Sequence, residues 1–194
     1  MASINTPEAP LKTSAPQADY NRSKGLVVDV ALRFLLFATA LVALIVMVTS
    51  KQTKMIPVAP GLAVPLDANF NQSPAFIYFV AALSVASLYS IVTVALSILA
   101  LMKGGISTKL QFHFVMFDAL LLGIVAAATG TAGGVAYVGL KGNSHTRWNK
   151  ICNTYGSFCF HVAASILLSL ISSISLLLLV WLSIYVLFKK IARR

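Results

Sequence analysis

Four long runs of hydrophobic residues, separated by shorter polar segments, dominate the pattern along this chain. They occupy residues 26–49, 75–102, 110–140 and 158–188. A helix needs about 20 apolar residues to cross a hydrocarbon core of about 30 Å, so each run is long enough. Backbone groups in lipid must pair within the segment, which favours helices. A soluble bundle would show charged faces, and these runs show almost none. The pattern predicts an all-α membrane protein, a four-transmembrane-helix bundle.

The polar segments at the two ends divide the chain into three parts. Residues 1–24 are polar, contain three prolines and are predicted to form a disordered tail. Residues 25–188 form the predicted four-helix transmembrane domain, and residues 189–194 form a basic tail. Because no apolar core precedes Gly25, we expect the first run to act as an uncleaved membrane anchor.

Composition supports a membrane environment and argues against nucleic-acid binding. Hydrophobic residues make up 58% of the 194 residues and charged residues only 10%, whereas a soluble domain carries about 25% charged residues. The formal net charge is +10. The basic residues lie beside the apolar runs, where they would meet anionic lipid headgroups and set topology.

The distribution of basic residues predicts the orientation. The N-terminal tail, the second loop and the C-terminal tail together hold nine Lys and Arg residues, and the first and third loops hold five. Cytoplasmic segments carry the excess of basic residues in membrane proteins. We therefore expect cytoplasmic N- and C-termini.

Two charged residues lie deep within the apolar runs, Arg33 in the first and Asp118 in the third. Both would lie roughly 10–12 Å from the inner boundary, at 1.5 Å per residue. Charged residues at such depth are costly and usually find a partner. Arg33 could instead pair with Asp29, four residues earlier on the same helix, but Asp118 would then be alone. An interhelical Arg33–Asp118 ion pair is favoured.

A chemical role for these charges has less support. Arg33, Asp118 and the nearby His113 could form a proton or ion relay, but no second acidic residue continues such a path outward. The sequence contains no nucleophile–base pair, phosphate-binding loop or metal motif. We therefore expect a protein that is not an enzyme and that binds no cofactor.

Small residues recur at intervals of three or four along the last two runs. Such spacing lets helix backbones approach closely. We interpret these residues as packing faces, either within the bundle or between protomers. They are Gly123, Ala126, Gly130 and Gly134 in the third run, and Ser165, Ser169 and Ser173 in the fourth.

The predicted exoplasmic loops hold the remaining candidate residues. Cys152 and Cys159 could remain free thiols, but an extracytoplasmic location favours a disulfide between them. Trp148 and Tyr155 could be interfacial anchors or a recognition surface. Asn71 begins an N-glycosylation sequon that Pro74 and the second run follow at once, so we expect weak glycosylation at most.

Three stretches resemble the plant Casparian strip membrane domain protein-like (CASP-like) family, and its first subgroup in particular. They are VVDVALRFLLFATALVALIVMVTSKQT, FNQSPAFIYFVAALSVASLYS and FDALLLGIVAAATGTAGGVAYVGLKGNSHTRWNKIC. The resemblance covers roughly residues 24–188. It implies a four-span plasma-membrane protein related to MARVEL-type bundles, with cytoplasmic termini. The family's hallmark Arg and Asp match Arg33 and Asp118.

The resemblance also implies a function. Members of this family act as scaffolds that associate with themselves and with related members, and the Casparian-strip members recruit cell-wall-modifying enzymes. Residues 50–74 lack the aromatic-rich signature of those members, so an endodermal barrier role is not predicted. We expect a non-enzymatic scaffold whose partners are further copies, related proteins, lipids and wall-side enzymes. The alternative is an oligomeric channel or transporter that uses Arg33 and Asp118.

Overall fold

The computed structural model describes residues 15–59, 61–102, 108–145 and 148–192, which form four long helices and one β-hairpin. Two short 3₁₀ turns, Phe70–Gln72 and Ile151–Asn153, connect these elements. The helices are α1 (Ala15–Val48), α2 (Pro74–Met102), α3 (Thr108–Lys141) and α4 (Gly156–Ile191), and the strands are β1 (Lys51–Ala59) and β2 (Leu62–Asn69).

The four helices pack as a bundle in which each helix has two neighbours. Helix α1 packs against α2 and α4, and α3 packs against the same two helices, so α1 and α3 face each other across the diagonal. Small side chains such as Ala40, Ala43 and Ala128 are buried between the helices. We call the end where α1 begins and α4 ends the terminal end, and the opposite end the hairpin end.

All four helices are long and apolar enough to cross a membrane. Their outward faces are also apolar: Phe34 is 62% exposed and Leu88 is 66% exposed. A soluble bundle would place polar side chains on these faces. The structure therefore agrees with the predicted all-α membrane protein with four spans.

The helix ends differ from the predicted boundaries at both termini. Helix α1 begins at Ala15, so residues 15–24 are helical, which corrects the prediction of a disordered tail there; residues 1–14 lie outside the described part. Adding residues to an existing helix needs no new nucleus, and Pro16 is compatible with a first helical turn. Helix α4 likewise continues to Ile191, into the predicted basic tail.

The sequence pattern did not predict the antiparallel hairpin of β1 and β2. Its register pairs Lys51 with Asn69 and Thr53 with Asp67, whose side chains share a hydrogen bond of 2.6 Å. Pro57 lies in β1 and Pro65 in β2, and proline is tolerated because each strand has an unpaired outer edge.

The hairpin is attached to the start of α4. The Tyr155 hydroxyl donates to the carbonyl oxygen of Leu66 at 3.0 Å, and the Phe158 backbone amide donates to Oε1 of Gln52 at 3.0 Å. The rings of Phe158 and Phe76 meet edge to face, 6.4 Å apart. These contacts join the hairpin, α2 and α4 at one end of the bundle.

Candidate functional site

The buried charges and two hydroxyl residues form a polar cluster between α1, α2 and α3, made of Asp29, Arg33, Tyr89, Ser97 and Asp118. Asp29 and Arg33 come from α1, Tyr89 and Ser97 from α2, and Asp118 from α3. Arg33, Ser97 and Asp118 are fully buried, and Asp29 is 9% exposed. Burying charges of this kind costs free energy unless they are paired and hydrogen-bonded.

Arg33 bonds to both carboxylates, so the two pairings considered from the sequence coexist. Its Nε donates to Oδ2 of Asp29 at 3.0 Å. Its Nη2 donates to Oδ2 of Asp118 at 3.1 Å, and its Nη1 makes a longer bond of 3.4 Å to Oδ1. The guanidinium carbon lies 4.7 Å from the ring centre of Phe114, within cation–π distance. The Arg33–Asp118 pair joins the two diagonal helices.

Helix α2 supplies two further donors that the sequence analysis missed. The Tyr89 hydroxyl donates to Oδ1 of Asp118 at 2.7 Å, and the Ser97 hydroxyl donates to Oδ2 of Asp29 at 2.8 Å. In the sequence, Arg33 and Asp118 could be paired because they are charged and lie at a similar depth in their spans. Hydroxyl residues are so frequent in these spans that depth alone does not identify Tyr89 and Ser97 as their partners. The relay residue His113 is exposed, and its Nδ1 lies 2.8 Å from the carbonyl oxygen of Lys109.

The predicted serine face of α4 lies inside the bundle. Ser165 donates to the carbonyl oxygen of Ala43 on α1 at 2.7 Å. Ser169 shares a 2.7 Å hydrogen bond with Thr129 on α3. Ser173 is 7% exposed and donates within its own helix, to the carbonyl oxygen of Ser169. Interhelical hydroxyl bonds of this type contribute about 0.6–2 kcal/mol each in membranes.

The predicted small-residue face of α3 lies on the outside. Gly123, Ala126, Gly130 and Gly134 are all exposed. A Cβ atom added to any of the three glycines would meet nothing within 4 Å. Of the two interpretations given for this face, packing within the bundle is therefore excluded for the glycines.

At the hairpin end, a disulfide joins the segment before α4 to the first turn of that helix. Cys152 and Cys159 are bonded, with their Cα atoms 5.6 Å apart. Just before this segment, Asn143 and Trp148 pair through two backbone hydrogen bonds of 3.0 Å. We call the β1–β2 hairpin and the segment 148–159 together the loop platform.

The two aromatic residues predicted for this loop have different environments. Trp148 is 64% exposed, but Tyr155 is only 8% exposed. This corrects the interpretation of Tyr155 as an interfacial anchor or recognition residue, because its hydroxyl holds the hairpin through Leu66. Asn71 is exposed in the 3₁₀ turn directly before α2.

Comparisons with known proteins identify the family. Residues 22–175 match the model of the Casparian strip membrane protein domain. The chain is 53% identical to CASP-like protein 1D1 of Populus trichocarpa and 50% identical to CASP-like protein Ni6 of Beta vulgaris subsp. maritima, in both cases over the full length of both chains. It is 58% identical to CASP-like protein 1D2 of Glycine max over 81% of each chain. No solved structure matches it. The chain belongs to the CASP-like family of plant multi-pass membrane proteins.

Proposed function

We propose that this protein is a non-enzymatic scaffold of the plasma membrane. It associates laterally with further copies and with related family members, and it presents its loop platform to cell-wall-modifying enzymes. Family membership supports the membrane setting. The exposed glycine face of α3 is the observation that carries the proposal of self-association.

The glycine face is suited to contact between protomers. Gly123, Gly130 and Gly134 have no side chains, so the α3 backbone is exposed on this face. A Cβ atom added at any of them would have no atom of another described element within 4 Å. In lipid, helices associate mainly where small residues let backbones approach, because burial of apolar surface gives no advantage there. A second helix with the same face would fit against it.

The polar cluster favours a structural role over conduction. All three guanidinium nitrogens of Arg33 bond to carboxylate oxygens, and Asp118 also accepts from Tyr89. These bonds join three helices, as a rigid scaffold requires. In liposomes containing the purified protein, we expect ion flux no greater than in empty liposomes, and flux above that level would favour the channel alternative.

The loop platform is suited to partner recognition because it combines exposed apolar groups with a fixed backbone. Met55 is 67% exposed, Trp148 is 64% exposed and Ile151 is 51% exposed. The disulfide and the Tyr155–Leu66 bond hold the segments that carry them. Rigid exposed aromatic and apolar side chains are typical anchors of protein interfaces.

Recruitment through the platform can be tested in plant cells by proximity labelling. We compare the protein with its Trp148→Ala variant and with a matched Trp181→Ala variant, which alters an aromatic residue near the opposite end of the bundle. The proposal expects wall-side enzymes among the labelled proteins, reduced by Trp148→Ala only. Equal labelling by all three proteins would contradict this role of the platform.

The proposed orientation places both termini in the cytoplasm and the platform on the wall side. It rests on the excess of basic residues near the terminal end. Single cysteines introduced by Ser14→Cys and Ser144→Cys test it with a membrane-impermeant thiol reagent on intact cells. Only Ser144→Cys should react before permeabilisation. Equal reaction at both positions would contradict the topology.

Self-association can be tested by single-molecule photobleaching of the labelled protein in native membrane patches. The double variant Gly130→Leu/Gly134→Leu should shift the step count toward one, because the added side chains separate the α3 backbones. Ala81→Leu is the matched control, since Ala81 is exposed on α2. An unchanged step count in the glycine variant, or equal loss in the control, would contradict association through α3.

A further inference from the structure

A groove of about 690 Å³ lies between α1 and α4 near the terminal end of the bundle. Its lining is apolar and partly aromatic, and includes Val28, Leu32, Leu178, Trp181, Tyr185 and Phe188. The residues contributed by α4 extend over ten positions, which corresponds to about 15 Å of helix. That is half of a hydrocarbon core of about 30 Å, so the groove has the depth of a single leaflet.

Positive charge is concentrated at the end of this groove that lies nearest the chain termini. Lys189 follows Phe188 directly, and its ammonium lies 5.8 Å from the centre of the Tyr185 ring, which lines the groove. On the other wall, Lys24 precedes Val28 by about one helical turn. The sequence adds three more basic residues after Lys189, and no acidic residue follows Asp118. A local excess of cations at this position attracts anionic headgroups.

We propose that the groove is a binding site for an anionic phospholipid from the leaflet at the terminal end. One acyl chain lies between α1 and α4, against Trp181 and Tyr185, and the phosphate lies beside Lys189. The apolar lining fits the chain, and the cations fit the headgroup. This site is independent of the scaffold function, since it uses neither the glycine face nor the loop platform.

The basic residues beside the groove favour an anionic phospholipid over the other ligands that an apolar groove could bind. A sterol or a zwitterionic lipid could fill the groove, but neither would neutralise the cations at its mouth. A second copy would enter the membrane in the same orientation, so its own basic segment would lie at the same depth and repel Lys189. An anionic phospholipid satisfies both the apolar and the charged parts of the site.

The test uses Trp181, which lines the groove and is 76% exposed, as a fluorescent reporter of contact with lipid. The chain has two tryptophans, so a Trp148→Phe background leaves Trp181 as the remaining one. The full-length protein is placed in phosphatidylcholine nanodiscs that contain a small fraction of dibrominated phosphatidylglycerol, dibrominated phosphatidylcholine or a brominated sterol. Contact with bromine quenches the fluorescence of Trp181. We expect the brominated phosphatidylglycerol to quench at least about fivefold more strongly than the brominated phosphatidylcholine, since a nearby cation favours anionic lipid by about that factor.

Two matched pairs of variants distinguish a specific lipid-binding site from the ordinary lipid that surrounds the protein. Lys189→Gln should lower the selectivity about fivefold, whereas Lys109→Gln, which changes an exposed cation outside the groove near the start of α3, should not. Val28→Phe fills the groove without changing charge and should lower quenching by the anionic lipid. Val27→Phe is its control, because Val27 is exposed to a similar degree but does not line the groove.

Four outcomes would overturn the proposal. Quenching by each lipid in proportion to its fraction would mean that no site exists. Loss of selectivity in Lys189→Gln without any effect of Val28→Phe would place the lipid outside the groove. Stronger quenching by the brominated sterol would assign the groove to a neutral ligand. Weak quenching by all three, together with a change in oligomeric state on Trp181→Leu, would assign it to a second protein chain.

Discussion

Removing one member of the Arg33–Asp118 pair is the sharpest test of the polar cluster, because the structure predicts unequal effects for the two residues. Arg33→Leu leaves the carboxylates of Asp29 and Asp118 buried together with no cation between them. Asp118→Asn keeps a neutral group of the same size beside Tyr89, and Arg33 keeps its bond to Asp29. The arginine variant should therefore be the less stable of the two.

The expected loss in the free energy of unfolding follows from the charge pairs and hydrogen bonds that each variant removes. Two unit charges about 4 Å apart attract by about 4 kcal/mol at an effective dielectric constant of about 20. Breaking a buried pair costs about 3–5 kcal/mol, which we expect for Arg33→Leu. Asp118→Asn weakens hydrogen bonds to a charged group, at about 1.5–3 kcal/mol. Asp67→Asn is the matched control: the side chain is exposed and the amide oxygen can still accept the hydrogen bond from Thr53, so the free energy of unfolding should change by about 0.5 kcal/mol or less.

Reversible unfolding by SDS in mixed micelles, followed by tryptophan fluorescence, measures these free energies. The exchange Arg33→Asp with Asp118→Arg should recover part of the loss, because attraction between the two positions survives. Recovery should be incomplete, since Asp29 would then lie one helical turn from a second carboxylate. Parental unfolding midpoints and parental surface delivery for both single variants would refute a structural role for the pair. Normal folding with altered ion flux would support conduction instead.

Three further predictions concern the hairpin end. Cys152→Ser, which breaks the bond to Cys159 across a separation of seven residues, should lower the free energy of unfolding by about 2–3 kcal/mol. An unchanged free energy of unfolding in this variant would contradict the prediction. Gly142→Ala should destabilise more than Gly61→Ala in thermal unfolding, because both glycines have positive φ but only at Gly142 would the added Cβ lie 2.7 Å from backbone; equal shifts would contradict it. Tyr155→Phe should increase amide exchange in β2 but not in α3, through loss of one hydrogen bond of about 1 kcal/mol; unchanged exchange in β2 would contradict it.

Residues 15–24 and the hairpin mark the limits of local sequence signals. The polar composition of residues 15–24 resembles that of a flexible tail, yet α1 includes them, because a long apolar helix provides the nucleus from which they extend. The strands β1 and β2 contain prolines and alternate weakly, so no pattern predicted them. The hairpin that they form is held to the bundle by contacts with Tyr155 and Phe158, far along the chain.

The sequence by itself determined the four helices, their number and their approximate limits, because the thickness of a bilayer and the need to pair backbone groups act on each segment separately. It also selected Arg33 and Asp118, since charge at such depth is conspicuous in a single chain. Only the tertiary structure decided that Asp29, Tyr89 and Ser97 complete their cluster, and that the serines of α4 face inward while the glycines of α3 face outward. Each span carries large apolar side chains on both its buried and its lipid-facing sides, so hydrophobic periodicity alone does not separate the two faces. The rotation of each helix about its own axis depends on the hydrogen-bonding and packing partners that the neighbouring helices provide. Those partners lie on segments that are distant in sequence.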